Sequence, residues 1–135
     1  MKVFVYWNLH KKCFSVKCIE KGHEFFGKVI MHAKRVRLSD VNFKVSAAGR
    51  ERVLREKRKN VHAGAVGTIK QVYMLHETNE MYELDSAYGR LYRVTYNPYK
   101  HSTFVDTSGN PVHNAVNAIL SCETNQPPVL FTYGS

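Results

Sequence analysis

Cysteine is scarce in this chain: three residues in 135, at Cys13, Cys18 and Cys122. An odd number without an export signal excludes a disulfide framework and favours reduced thiols. Long apolar runs are missing as well, and none approaches the roughly 20 residues of a membrane-spanning helix. The N-terminal MKVFVYWNLHKKC has a lysine and a short apolar run. It lacks the longer apolar stretch and the small-residue cleavage site of a signal peptide. These absences predict a soluble, cytoplasmic protein with no membrane partner and no processing of its termini. Repeats and low-complexity tracts are absent, and nothing marks a boundary, so residues 1–135 are read as a single domain. Also missing are a Walker A loop, a GxSxG elbow, an HExxH pair and the H-x-E with P-C-x-x-C of zinc deaminases. The acidic residues are too dispersed for a two-metal site. No cofactor and no metal is implied.

Acidic charge is short in one half only. Residues 1–70 hold 17 Lys and Arg against 5 Asp and Glu, a balance of +12. Residues 71–135 hold 3 against 6, which returns the total to +9. So uneven a field draws polyanions and speeds their encounter. The partners it suggests are nucleic acid, a nucleotide ligand, or an acidic protein face.

The chain reads as α+β: a curved antiparallel sheet or partial barrel with one basic helix over about 46–59. Lys2 to Asn8 is rich in β-branched and aromatic residues and predicts a strand. A turn at His10–Lys12 would pair it with a second strand, Cys13 to Ile19. Lys28 to Leu38 alternates, Ser39-Asp40 reads as a turn, and Val41, Phe43 and Val45 share one face of a further strand. Ser46 is a good N-cap for the helix and Asn60 a candidate stop. Val61 to Leu75 is strand-like, with Gly64 and Gly67 marking a bulge or bend. His76 to Met81 reads as a loop. Further strand signals fall at Tyr82–Leu84, Gly89–Tyr96, Thr103–Asp106 and Val129–Tyr133, with turns at Asn97-Pro98 and Thr107–Asn110 and a break at Gln126–Pro128. Pro111 fits a first helical position, so the pattern allows a second short helix over about 111–120.

The densest charge run is SAAGRERVLREKRKNVHAG, Ser46 to Gly64, with six cations. Its apolar stripe, Ala47, Val53 and Leu54, is narrow. Arg50 and Lys57 border that stripe, and Arg52, Arg55 and Lys59 lie opposite. Glu51 and Glu56 are spaced to offset part of the charge, and the last-turn cations suit the helix dipole. A solvated helix face therefore explains some of the run. Lys34, Arg35 and Arg37 in the preceding strand widen the basic surface. Together with Arg50, Arg52, Arg55, Lys57, Arg58 and Lys59 they form the candidate anion site. No helix-turn-helix spacing or RNP motif accompanies it, so phosphate contacts would dominate.

Two other constellations hold residues capable of chemistry. His10, Cys13, Cys18 and His23 have the spacing H-x2-C-x4-C-x4-H, close to a zinc knuckle. The ligand order differs, the tight glycine turn is missing, and cysteines five apart on a strand face opposite ways. Two half-buried sheet cysteines explain them better. His62, at the exit of the basic run, is the best placed general base, with Tyr96 and His101 of YNPYKH as partners for metal-independent phosphodiester chemistry.

Three segments, HKKCFSV (His10–Val16), FKVSAAGRERVLREKRKNVHAG (Phe43–Gly64) and YNPYKHSTFVD (Tyr96–Asp106), resemble small proteins encoded in phage and prophage genomes. No activity or site residue comes with that resemblance. It implies the host cytoplasm, and a context in which small accessory proteins bind and block host components, defence machinery included. The leading reading is a basic phage-type accessory protein that binds a polyanion (nucleic acid, a nucleotide, or the nucleic-acid-binding groove of a host or defence enzyme) without catalysis. The alternatives are a metal-independent ribonuclease or nucleotide-modifying enzyme using His62, and an inhibitor of an acidic host protein.

Overall fold

The structure, a computed structural model, describes residues 1–73, 90–122 and 128–133. In chain order its elements are β1 (Lys2–Asn8), β2 (Cys13–Cys18), β3 (Val29–Ala33), β4 (Arg35–Val45), α1 (Ala47–Glu56), β5 (Ala63–Tyr73), β6 (Tyr92–Val94), β7 (Asn114–Ser121) and β8 (Val129–Tyr133). The strands form one antiparallel sheet in the order β3-β2-β1-β5-β4-β7-β8-β6. The molecule is mainly β, and the sheet is open, with β3 and β6 as its edges and no closure into a barrel. Phe14 of β2 and Val94 of β6 nevertheless share one apolar cluster with Val5, Phe104 and Leu120. The expected strands at Tyr82–Leu84, the loop at His76–Met81 and most of the break at Gln126–Pro128 lie outside the described residues.

Local chemistry explains the first hairpin. The Asn8 side-chain oxygen accepts from the amides of His10 at 3.0 Å and Lys11 at 2.9 Å, an Asx turn that reverses the chain. β1 and β2 then pair from Val3–Cys18 to Asn8–Cys13.

Ser39-Asp40 is not a turn. Asp40 takes φ 51° inside β4, and the strand continues through it. On the β5 side the register steps from Ser39–Thr68 to Asn42–Val66. Two residues, Asp40 and Val41, thus oppose Gly67 alone, which is a β-bulge. A Cβ on Gly67 would stand 2.9 Å from the Ser39 carbonyl oxygen, so the bulge needs glycine across from it.

The helix starts where expected. Ser46 accepts from the Gly49 amide at 3.1 Å. It stops earlier than Asn60: Lys57 is the C-cap at φ 55°, and its amide donates to the Val53 carbonyl. Only Arg55 is a cation of the last turn. Lys57, Arg58 and Lys59 therefore belong to an exposed irregular segment between α1 and β5 rather than to the helix.

The second helix, over 111–120, is overturned. Asn114–Ser121 is β7, paired to β4 on one side and β8 on the other. Ala118, Ile119 and Leu120 are all buried. A strand covered on both faces loses its alternation and reads like a buried helical stretch. Pro111 forms an isolated bridge to Val105, which also bridges Thr95 and replaces the longer strand expected at Thr103–Asp106.

Gly64 of β5 passes close under β1. A Cβ there would lie 2.7 and 2.8 Å from the Phe4 ring and would run into the Val5 carbonyl. Backbone cannot yield cheaply, so Gly64→Ala is expected to cost about 2–3 kcal/mol. Urea unfolding checks this, with a lower midpoint at unchanged m-value expected.

Candidate functional site

The nine cations of the sequence reading do not form one surface. Arg35 is fully buried and Lys34 is 7% exposed, because Arg35 begins β4 in the middle of the sheet and Lys34 stands just before it. The Arg35 Nε donates to the Ser121 hydroxyl at 2.9 Å. Arg37 is half-buried. The strand also carries them away from the helix: α1 follows the far end of β4, roughly 30 Å along an eleven-residue strand. Lys34, Arg35 and Arg37 thus leave the exposed anion set. Arg50 leaves it too, because its Nε donates to the carbonyls of Pro98 and His101, both at 3.0 Å. It straps α1 to the turn after β6. Arg52, Arg55, Lys57, Arg58 and Lys59 remain exposed. Arg55 lies 4.0 Å from Glu51 with both side chains largely in water, so that pair is worth little.

His62 and Tyr96 do come together. The His62 Nδ1 is 2.8 Å from the Asn60 carbonyl, and its Nε2 is 2.7 Å from the Tyr96 hydroxyl. A carbonyl only accepts, so Nδ1 carries a proton, and in the neutral ring Nε2 accepts from the phenol. Burial pushes the Tyr96 phenol up, with the Arg50 charge pulling partly the other way. The proton therefore stays on Tyr96 through neutral pH. Because the folded state holds that proton more tightly, its share of stability is lost only as pH rises past about 10. Gly49 leaves room for this arrangement: a Cβ there would stand 2.5 Å from the His62 Cβ.

His101 contributes its backbone carbonyl to Arg50, and its ring is not among the groups lining the cavity beside His62. The expected trio is thus a pair, His62 and Tyr96, with His101 as part of the scaffold. Ser15 and His32 form another hydrogen bond, 3.0 Å long, but Ser15 is fully buried and out of reach of a substrate.

The cavity has a volume of about 600 Å³. Val94 and Leu120 form its buried floor. Trp7 and Phe14 make one wall, with ring centroids 5.3 Å apart at 74°. Tyr96 and Phe104 make another, 5.2 Å apart at 38°. At the mouth lie Leu9, Val61 and Tyr99, which are 36%, 41% and 62% exposed, together with Lys59. Trp7 and Phe104 carried no functional signal in the sequence. They are about a hundred positions apart and meet only through the sheet order.

The zinc-knuckle set does not assemble. Cys13 and Cys18 are both buried, and among the described residues no three His, Cys, Asp or Glu side chains gather where a metal could sit. Burial pushes the Cys13 thiol up, with Lys11 opposing it in part. No described helix is long and apolar enough to cross a membrane.

Fold and site together define a mainly β protein, an open antiparallel sheet with one helix, built around an aromatic cavity with a cationic lip. The chain belongs to the Mycobacterium phage L5 gene 82 protein family, whose model matches residues 1–126. The gene 82 protein of Mycobacterium phage L5 is 35% identical over 111 residues, which cover 78% of this chain and 77% of that protein. No solved structure matches. The three segments that resemble small phage proteins all reach the cavity: the first through Phe14, the second through Lys59 and His62, the third through Tyr96, Tyr99 and Phe104.

Proposed function

We propose that this phage protein is a binding module that holds a polyanion, a nucleic acid or nucleotide, at its cationic helix and helix exit, and performs no chemistry on it. One observation carries the reading: the run Lys57–Lys59 leaves α1 as an exposed segment and ends at the cavity mouth, which Lys59 lines. Arg52 and Arg55 add charge on the solvent side of the helix. The helix dipole accounts for cations only near the last turn, at Arg55 and Lys57, and leaves Arg58 and Lys59 unexplained. If Arg52, Arg55, Lys57, Arg58 and Lys59 each meet a phosphate of a single strand, the logarithmic salt slope is about −3.5, and affinity falls about a hundredfold between roughly 50 and 200 mM salt. Fluorescence anisotropy with labelled single-stranded RNA and DNA at those two concentrations tests this. Absent or salt-insensitive binding to both contradicts it. Capture of an acidic protein that survives nuclease treatment of a host lysate would instead favour a protein target.

The 2.7 Å bond between His62 and Tyr96 supports a second reading, acid–base work on a phosphodiester. Against it, the Nε2 that would take a proton is already engaged, and among the described residues no second histidine lines the cavity. RNA incubated with the protein in EDTA is expected to stay intact. Cleavage that disappears in His62→Ala would establish the enzymatic reading.

A further inference from the structure

Apart from Lys59, none of the exposed cations enters the cavity, so phosphate binding alone does not explain its shape. Two aromatic walls, Trp7 with Phe14 and Tyr96 with Phe104, face a space of about 600 Å³ over an apolar floor. That volume is within the range of small-molecule sites, roughly 300–1,000 Å³. Three apolar side chains, Leu9, Val61 and Tyr99, stay exposed at the mouth, where an empty surface would gain by covering them. Among the described residues the only lysine or arginine of the lining is Lys59, and Lys57 and Arg58 stand just before it. A ligand that fits has a flat apolar ring for the walls and an anionic group for the lip.

We infer that the cavity takes a nucleobase, with the attached phosphate at the Lys57–Lys59 lip. The inference rests on the polyanion reading and narrows it. The ligand is an unpaired nucleotide unit, free or in a single strand, because a base stacked in a duplex cannot enter. The Tyr99 ring, already in water at the mouth, closes over the entering base, while Trp7 forms the inner wall. Stacking of this kind strengthens binding on the order of ten- to a hundredfold per base.

Trp7 is the sole tryptophan of the chain, so its emission reports on the cavity directly. The experiment titrates the full-length protein with a short single-stranded RNA and with the same oligonucleotide carrying abasic positions, reading anisotropy and Trp7 emission together. The intact strand is expected to bind at least tenfold more tightly and to quench Trp7, while the abasic strand binds weakly without quenching. In Tyr99→Ala, which removes an exposed ring and leaves the core untouched, that preference is expected to shrink severalfold. Equal binding of the two strands without quenching overturns the base pocket while the polyanion reading stands. Failure of both strands to bind overturns both. A preference that persists in Tyr99→Ala with Trp7 emission unmoved places the base elsewhere and overturns the inference. So does quenching by an uncharged apolar dye with none by RNA.

Discussion

Arg35→Ala is expected to lower the free energy of unfolding by about 3–5 kcal/mol, although arginine to alanine on a protein surface usually changes it by less than about 0.5. Arg35 is the largest fully buried side chain of the described residues. Truncation empties its volume in the centre of the sheet and strips the Ser121 hydroxyl of its donor. An orphaned buried hydroxyl alone costs about 1–3 kcal/mol. Arg35→Met restores most of the volume but not the donor, so it is expected to fall between alanine and wild type. Chemical denaturation measures all three. Near-wild-type stability in Arg35→Ala would return Arg35 to the candidate anion surface.

The second large effect concerns binding. Replacing Lys57, Arg58 and Lys59 together by glutamine is expected to weaken a single-stranded ligand on the order of a hundredfold at about 0.1 M salt, and to reduce the salt slope by about 2. All three side chains are exposed, so the unfolding midpoint is expected to move little. Arg50→Gln behaves differently. It breaks the strap to the Pro98 and His101 carbonyls, so it is expected to lower stability first and affinity only through the displaced turn. A triple variant that binds like wild type would remove the helix exit from the site.

Elements with a local cause were legible in the sequence. The alternation of β1, the Asx turn after Asn8 and the Ser46 cap each depend on residues within a few positions of one another. What was missed depended on partners far away. Lys57 adopts a left-handed conformation that favours glycine or asparagine, so nothing at position 57 announced the helix end. The end of β7, Ala118–Ser121, reads as either period because four successive residues are buried, which covers both faces of the strand. Asp40 resembles a turn residue until Gly67 is seen opposite it.

The site divides in the same way. His62 and Tyr96 were recognisable as chemically capable, and they are 2.7 Å apart. Their orientation by Asn60 and the room left by Gly49 were not recognisable. The charges of Lys34, Arg35 and Arg37 suggested solvent, as lysine and arginine usually do. Their place at, or just before, the start of a central strand reverses that expectation.

The most direct measurement is a ¹⁵N-labelled NMR titration of the full chain with a short single-stranded RNA at low salt. Shifts are expected at residues 57–62, at 95–99 and at the Trp7 indole N–H, with Lys34, Arg35 and Arg37 unmoved. Shifts confined to 34–37, or shifts elsewhere that leave the helix exit and the cavity mouth unchanged, would contradict the assignment of the cationic lip as the site.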